Sequence, residues 1–277
     1  MSTERQNSIL SVFAKLDRLL DRYIADRPTP GVLGSHAAFT WDGSRNRLEP
    51  VQRPVRIDPA GLLGIEDQKA RLLANTKGFV AGRAANNALL WGERGAGKSS
   101  LIKSLLTAFS GTDLRMVQVL KHDILTIRTL LAWISDAAPL RFIIFIDDLS
   151  FEESQTDYKE MKTLMDGGLE QMPDNLLFYA TSNRKHLIPT RFSDSESDDV
   201  RPGDAIEEKV SLADRFGLRL GFSHMDQDTY LEVVDLYASS AGLDLDREVL
   251  HREAIRWALA AGGRNGRTAE QFVRSLP

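Results

Sequence analysis

Cysteine is absent from the chain. Disulfides, thiolate metal sites and thiol nucleophiles are therefore excluded before any motif is read. Histidine is scarce: His36, His122, His186, His224 and His251 are scattered, and none has the spacing of metal ligands. No apolar run comes near the ~18 residues of a membrane span. The opening STERQNS lacks the pattern of a secretory signal. A soluble, cytoplasmic protein with no membrane partner is the expectation. An excess of positive charge is also missing. Lysine and arginine number 35 against 39 aspartates and glutamates, a net charge of −4. Without a global basic field, any contact with nucleic acid must rest on a local patch. The 277 residues are 42% hydrophobic, enough to bury one large domain or two modest ones.

Residues 8–26 carry Ile9, Val12, Phe13, Leu16, Leu19, Leu20, Tyr23 and Ile24 at helical spacing, and RPTPG (27–31) ends that pattern. In 37–57, Asp42-Gly43 suggests a turn between two short strands. They form either a small N-terminal module or a flap on the main body. From Gly61 the pattern changes. The apolar runs NNALLWG (86–92), RMVQVL (115–120), RFIIFIDDL (141–149), NLLFYATSN (175–183) and LRLGF (218–222) read as strands. Helical patterns lie between them, as in SSLIKSLLTAFS (99–110), LTIRTLLAWISD (125–136) and YKEMKTLMDGG (158–168). Continuous apolar strands alternating with helices predict an α/β fold whose parallel sheet is covered on both faces. SDSESDDVRPGD (193–204) reads as a mobile loop, and beyond about residue 224 only helical patterns remain. The expected division is an N-terminal extension (1–60), an α/β core (61–224) and a helical lid (225–277).

GERGAGKS, Gly92 to Ser99, fits G-x-x-x-x-G-K-[ST]. At average residue usage its four fixed positions recur by chance in roughly one chain of this length in a hundred. Here an apolar strand precedes it and a helical pattern follows, the context a phosphate-binding loop needs. Gly92, Gly95 and Gly97 let the backbone wrap phosphates with its N–H groups inward. Glu93, Arg94 and Ala96 complete the loop. The helix that begins near Lys98 and continues through Ser100 adds its positive end. Lys98 is expected on the β- and γ-phosphates of ATP, and Ser99 on Mg²⁺. In RFIIFIDDLSF (141–151) a buried strand runs into two carboxylates. Asp147 is expected to serve Mg²⁺ through a water. Asp148 either polarises an attacking water or caps the next segment.

In this order the features resemble the AAA+ ATPase superfamily over residues 61–277. TSN (181–183) closes the next strand where AAA+ proteins place sensor 1. The resemblance implies that Asn183 orients the water beside the γ-phosphate; a strand-terminating asparagine is the alternative. SLADRFGLRL (211–220) resembles the arginine-finger segment, with Arg215 as candidate and Arg219 as rival, the alternative being a salt-bridged surface arginine. NGRTAEQF (265–272) resembles the start of the sensor 2 helix. That implies a role for Arg267, with Arg264 as rival and a pairing of Arg267 with Glu270 as the alternative. GLLGIEDQK (61–69) resembles the linker in which Gly64 and Ile65 would touch adenine. NNALLWGERGAGKSSL, FIDDLSFE, YATSNRKHL and EEKVSLADRFGL together look still more like a bacterial family of predicted AAA+ ATPases known mainly as a domain of unknown function, DUF815.

The resemblance implies a P-loop NTPase sheet with a C-terminal helical lid and a small N-terminal extension. It implies hydrolysis of ATP with Mg²⁺, coupled to assembly or remodelling of an unknown macromolecular partner. Because such a finger usually acts on a neighbour's nucleotide, it also implies a homo-oligomer with sites completed between subunits. One residue departs from the pattern. Most AAA+ motors have Glu where this chain has Asp148, whose side chain is one methylene, roughly 1.5 Å, shorter. A misplacement of that size can cost about a hundredfold in rate. Glu152 and Glu153 are longer but lie past the strand end. Asp-Asp-Leu also occurs in helicase-loader and transposition-helper branches, so slow hydrolysis is expected. The second reading is a nucleotide-dependent switch or loader acting on DNA or a DNA-bound protein. RKHLIPTR (184–191) and RWALAAGGRNGR (256–267) are local basic clusters whose simpler reading is solvated surface plus a sensor arginine, and nucleic acid is not favoured. A small-molecule kinase is disfavoured by the helical tail and the DRF segment.

Overall fold

The computed structural model describes residues 27–150, 156–166, 172–183 and 212–277. The helical pattern at 8–26, Glu152 and Glu153, the cluster RKHLIPTR and the acidic stretch 193–204 lie outside the described residues. The apolar runs form strands, as their β-branched and aromatic content requires. With the two short strands of 37–57, the strands are β1 Ala38–Asp42, β2 Arg47–Pro50, β3 Ala88–Gly92, β4 Leu114–Val119, β5 Arg141–Ile146, β6 Leu176–Ser182 and β7 Leu218–Phe222. One sheet holds them in the order β2-β1-β4-β5-β6-β3-β7. Neighbours are parallel except β1 and β2. Central β6 is buried at every residue and β5 at every residue but Arg141. This explains why both read as unbroken apolar runs: a strand covered on both faces has no polar side to alternate with.

The pleat divides β5 between two cores. Phe142, Ile144 and Ile146 face the helices α1 Pro30–Ser35, α4 Ile127–Ile134 and α5 Thr156–Asp166, which contribute Leu33, Leu130, Ile134 and Met161. Ile143 and Phe145 face α2 Glu66–Val80 and α3 Lys98–Ala108, which contribute Leu72, Phe79, Leu101 and Leu105. The last three helices, α6 Gln227–Ser240, α7 Arg247–Ala260 and α8 Gly266–Ser275, bury a third cluster. It includes Tyr230, Val234, Leu250, Ala254 and Phe272. Asp226, Asp246 and Asn265 cap their N-termini by accepting from the N–H groups of Thr229, Val249 and Thr268. The buried Tyr230 hydroxyl donates to Ala254 O at 3.1 Å and ties α6 to α7. Burial pushes that phenol up to about 12. Among the described residues no helix is long and apolar enough to cross a membrane.

The hairpin expected within 37–57 extends the central sheet. The Asp42 carboxylate closes its turn by accepting from Ser44 N and Arg45 N at 3.0 and 3.2 Å. β1 then lies parallel to β4, Phe39 opposite Val117. The turn packs against Asp123, 6% exposed, whose carboxylate accepts from the Gly43 N–H. Burial pushes the Asp123 carboxyl above its ordinary value, although His122 works against that shift. A raised folded value means that the group's contribution to stability is complete below its unfolded value near ~3.9. It is lost as the pH climbs through the folded value. Asp123→Asn, which keeps the acceptor and removes the charge, will therefore raise the melting temperature at pH 7 by about 2 °C. It will have no such effect at pH 3, as calorimetry at the two pH values will show.

Candidate active site

The site forms where β3 ends. Gly92 has φ +130°, and a Cβ there would stand 2.0 Å from Phe222 O of β7, so only glycine lets the chain leave the strand at this point. The loop that follows turns into α3 with Gly97, φ 92°, at the N-cap. The free N–H groups of that helix end open into a cavity of about 560 Å³. Lys98 lies beneath the loop, 6% exposed. Its ammonium donates to Gly92 O (2.8 Å), Glu93 O (2.6 Å) and Asn183 Oδ1 (3.2 Å). Burial holds its pKa below the ordinary lysine value, and the carboxylates of Asp148, Asp147 and Glu93 oppose the shift.

Strand order brings the second half of the site to the first. β3 and β5 flank β6, so their C-terminal ends lie on either side of its own. Ser99 Oγ donates to Asp147 Oδ1 at 2.6 Å, and Thr181 Oγ1 donates to the same oxygen at 2.6 Å. Thr181 Oγ1 in turn accepts from Asp148 N at 2.9 Å. Asn183 Nδ2 donates to Asp148 Oδ1 at 2.6 Å, while its carbonyl oxygen takes Lys98. The polar chain Ser99–Asp147–Thr181–Asp148–Asn183–Lys98 therefore closes on itself across three strand ends. Asp148 has φ 53°, the left-handed region, which aspartate and asparagine tolerate better than other non-glycine residues.

Arg94, Gly95, Ala96, Gly97, Lys98, Ser99, Ser100, Asp147, Asp148, Asn183, Ile65 and Arg267 all line the cavity. Gly92 and Glu93 act from behind the lining, through the carbonyls that hold Lys98. Gly64 also stands back from it. Its φ is +74° and a Cβ would meet Thr229 Cγ2 at 2.5 Å, so it seats the linker against α6. Arg215 lies outside the cavity, in a short 3-10 turn at Ala213–Arg215, where its guanidinium meets Asp166 of α5 through Nε (2.5 Å) and Nη2 (3.3 Å). Its rival Arg219 pairs with Asp214 at 3.0 Å. Arg264 donates to Gln227 Oε1 at 3.2 Å. Sequence reasoning missed several lining residues. Thr181 was within reach as the first letter of TSN. Leu62, Leu63, Met225, Val233, Tyr237 and Glu270 form an apolar wall with one carboxylate. Leu62 and Leu63 lie in the linker GLLGIEDQK and Met225 just before α6, while Val233 and Tyr237 show only helical spacing one turn apart, which does not say what a helix faces.

The donors suit a nucleotide with its metal. The volume lies within the ~300–1,000 Å³ of small-molecule sites. A loop of N–H groups, a buried ammonium and a helix N-terminus all favour phosphate. Among the described residues no cluster of three or more His, Asp or Glu side chains could hold a metal alone. Ser99 with Asp147 instead matches Mg²⁺, which takes one or two protein oxygens and fills its shell with water and substrate phosphate.

Comparison with other proteins bears on the fold. The family model described as "Protein of unknown function (DUF815)" matches residues 34–277. No curated protein matches the chain in sequence. Among solved structures, the Thermotoga maritima RuvB Holliday junction branch migration motor superposes with a TM-score of 0.52 at 16% identity, covering 76% of this chain. The chain spans only 61% of that protein's length. The FIGL-1 AAA domain in complex with ADP superposes with a TM-score of 0.52 at 20% identity, covering 78% of this chain and 71% of that one. At such identities the likeness is one of fold: a mostly parallel AAA+ sheet flanked by helices, followed by C-terminal helices.

Proposed function

We propose that this chain, which belongs to the DUF815 family of proteins of unknown function, binds ATP with Mg²⁺ in the cavity and hydrolyses it. The nucleotide state would then govern assembly or remodelling of a macromolecular partner. The observation that carries the reading is the closed polar chain from Ser99 to Lys98. In one place it holds a cation for phosphate, a hydroxyl and carboxylate for a metal, and a carboxylate with an amide for water. Ser99 and Asp147 would hold Mg²⁺, which when bound would neutralise charge on the phosphates. Lys98 adds a fixed positive charge, and the loop N–H groups orient the phosphates. Asp148 takes the proton of the attacking water, which Asn183 helps to orient. Arg267 senses the γ-phosphate from α8, so the angle of the lid, residues 225–277, follows the nucleotide.

Arg215 supports an assembly in which one protomer completes its neighbour's site. It does not line its own cavity, and its side chain is 43% exposed. The test is ATP turnover per protomer over a wide range of protein concentration. In the wild type the rate will climb with concentration. Arg215→Ala will bind ATP normally but give a flat, low rate. Lost ATP binding in that variant would make Arg215 a structural arginine, and a wild-type rate independent of concentration would remove the shared site. A slow switch or loader acting on DNA is the second reading. The observation favouring it is the short arm of Asp148 at a left-handed position. Stimulation of a near-zero rate by DNA, lost as salt is raised, would distinguish it.

A further inference from the structure

Glu270 is the one carboxylate that the lid presents to the cavity. A negative charge beside a triphosphate would repel it, so the position of Glu270 along the nucleotide is informative. α8 is anchored at the phosphate end. Gly266 N donates to Gly95 O of the loop at 3.2 Å. A Cβ on Gly95 would stand 2.5 Å from Asn265 Oδ1. Arg267, at the start of the helix, therefore lies by the phosphates. Glu270 is three residues on, on the same face and ~4.5 Å further along the axis. That step leads away from the charged groups and towards Tyr237, whose phenol is pushed up by burial and by the Glu270 carboxylate. Arg274 holds Glu270 Oε1 at 2.7 Å. Among the described residues Oε2 has no partner. A carboxylate only accepts hydrogen bonds. One turn beyond the phosphates, the uncharged donors that a ribonucleotide offers are its ribose hydroxyls.

We infer that Glu270 is a specificity-determining residue that accepts hydrogen bonds from the ribose hydroxyls, so that the site selects ribonucleotides over deoxyribonucleotides. The inference rests on the nucleotide reading of the cavity. It is tested by calorimetric titration of the full chain with ADP, 2′-deoxy-ADP and 3′-deoxy-ADP, which avoids turnover. The wild type will bind ADP at least about tenfold more tightly than one or both deoxy forms, as loss of a hydrogen bond to a charged group implies. Glu270→Ala will bring the affinities within about twofold of one another, and Glu270→Gln, which keeps an acceptor without charge, will fall between. Arg267→Ala will leave the ratio as in the wild type. Equal wild-type affinities, or an unchanged ratio in Glu270→Ala, would overturn the inference and leave the nucleotide site standing. A wild type that binds none of the three would overturn both.

Discussion

Lys98→Ala will abolish measurable ATP turnover, with a fall of at least ~10²–10³-fold, and will weaken ATP binding. The ammonium is the only cation buried in the polar chain among the described residues, and it bridges two strand ends by touching the loop carbonyls and Asn183. An alanine removes the charge that would meet the β- and γ-phosphates. It also frees Asn183, which then no longer holds Asp148 from a fixed side. Folding should survive. The carbonyls left behind, Gly92 O and Glu93 O, face the space that the shortened side chain vacates beside the cavity, where water can take the place of the ammonium, so they are not left as buried orphans. A melting temperature near that of the wild type, together with lost turnover, is the expected pair of results. Turnover within threefold of the wild type would mean that the cavity does not hydrolyse ATP.

Asp148→Asn will lower turnover by ~10²–10⁴-fold while leaving ATP affinity within about twofold. The substitution is chosen for the backbone. At φ 53° asparagine is as much at home as aspartate, so the strand end and the Asp148 N–H to Thr181 bond will persist. Its amide oxygen can still accept from Asn183, which donates to Oδ1 in the wild type. Only the basicity is lost. A variant that keeps turnover within a few fold would reduce Asp148 to a capping residue. The same geometry suits the shorter carboxylate at this position. A left-handed residue directly after a buried strand favours Asp or Asn over Glu, so the shorter arm is tied to the path of the chain.

Much of the site was legible because it is local. Gly92 to Ser100 are contiguous, and their spacing expresses one turn from strand to helix, so residue types alone pointed to the loop proposed for phosphate. Asp147 and Asp148 end an apolar run that could only be a buried strand. The helices after residue 224 were equally plain from their period. Three things were not legible. Thr181 shares Asp147 Oδ1 with Ser99 because β6 lies between β3 and β5, and strand order leaves no trace in periodicity. Arg215 finds Asp166 across 49 residues of chain. Tyr237 and Glu270 reach a cavity opened by a loop more than a hundred residues earlier. The N-terminal hairpin shows the same limit: its turn was written in Asp42-Gly43, but its place beside β4 was not.

The sequence by itself determined the elements and the loop proposed to hold phosphate, since apolar period, glycine placement and cap residues act within a few residues of one another. Only the tertiary structure decided which strand ends meet, that Asp148 is left-handed, that Arg215 pairs with Asp166 outside the cavity and that Glu270 lines it. Those outcomes depend on how a twisted sheet orders its strands and how the lid seats on the loop, and such contacts are set by packing between segments far apart in the chain.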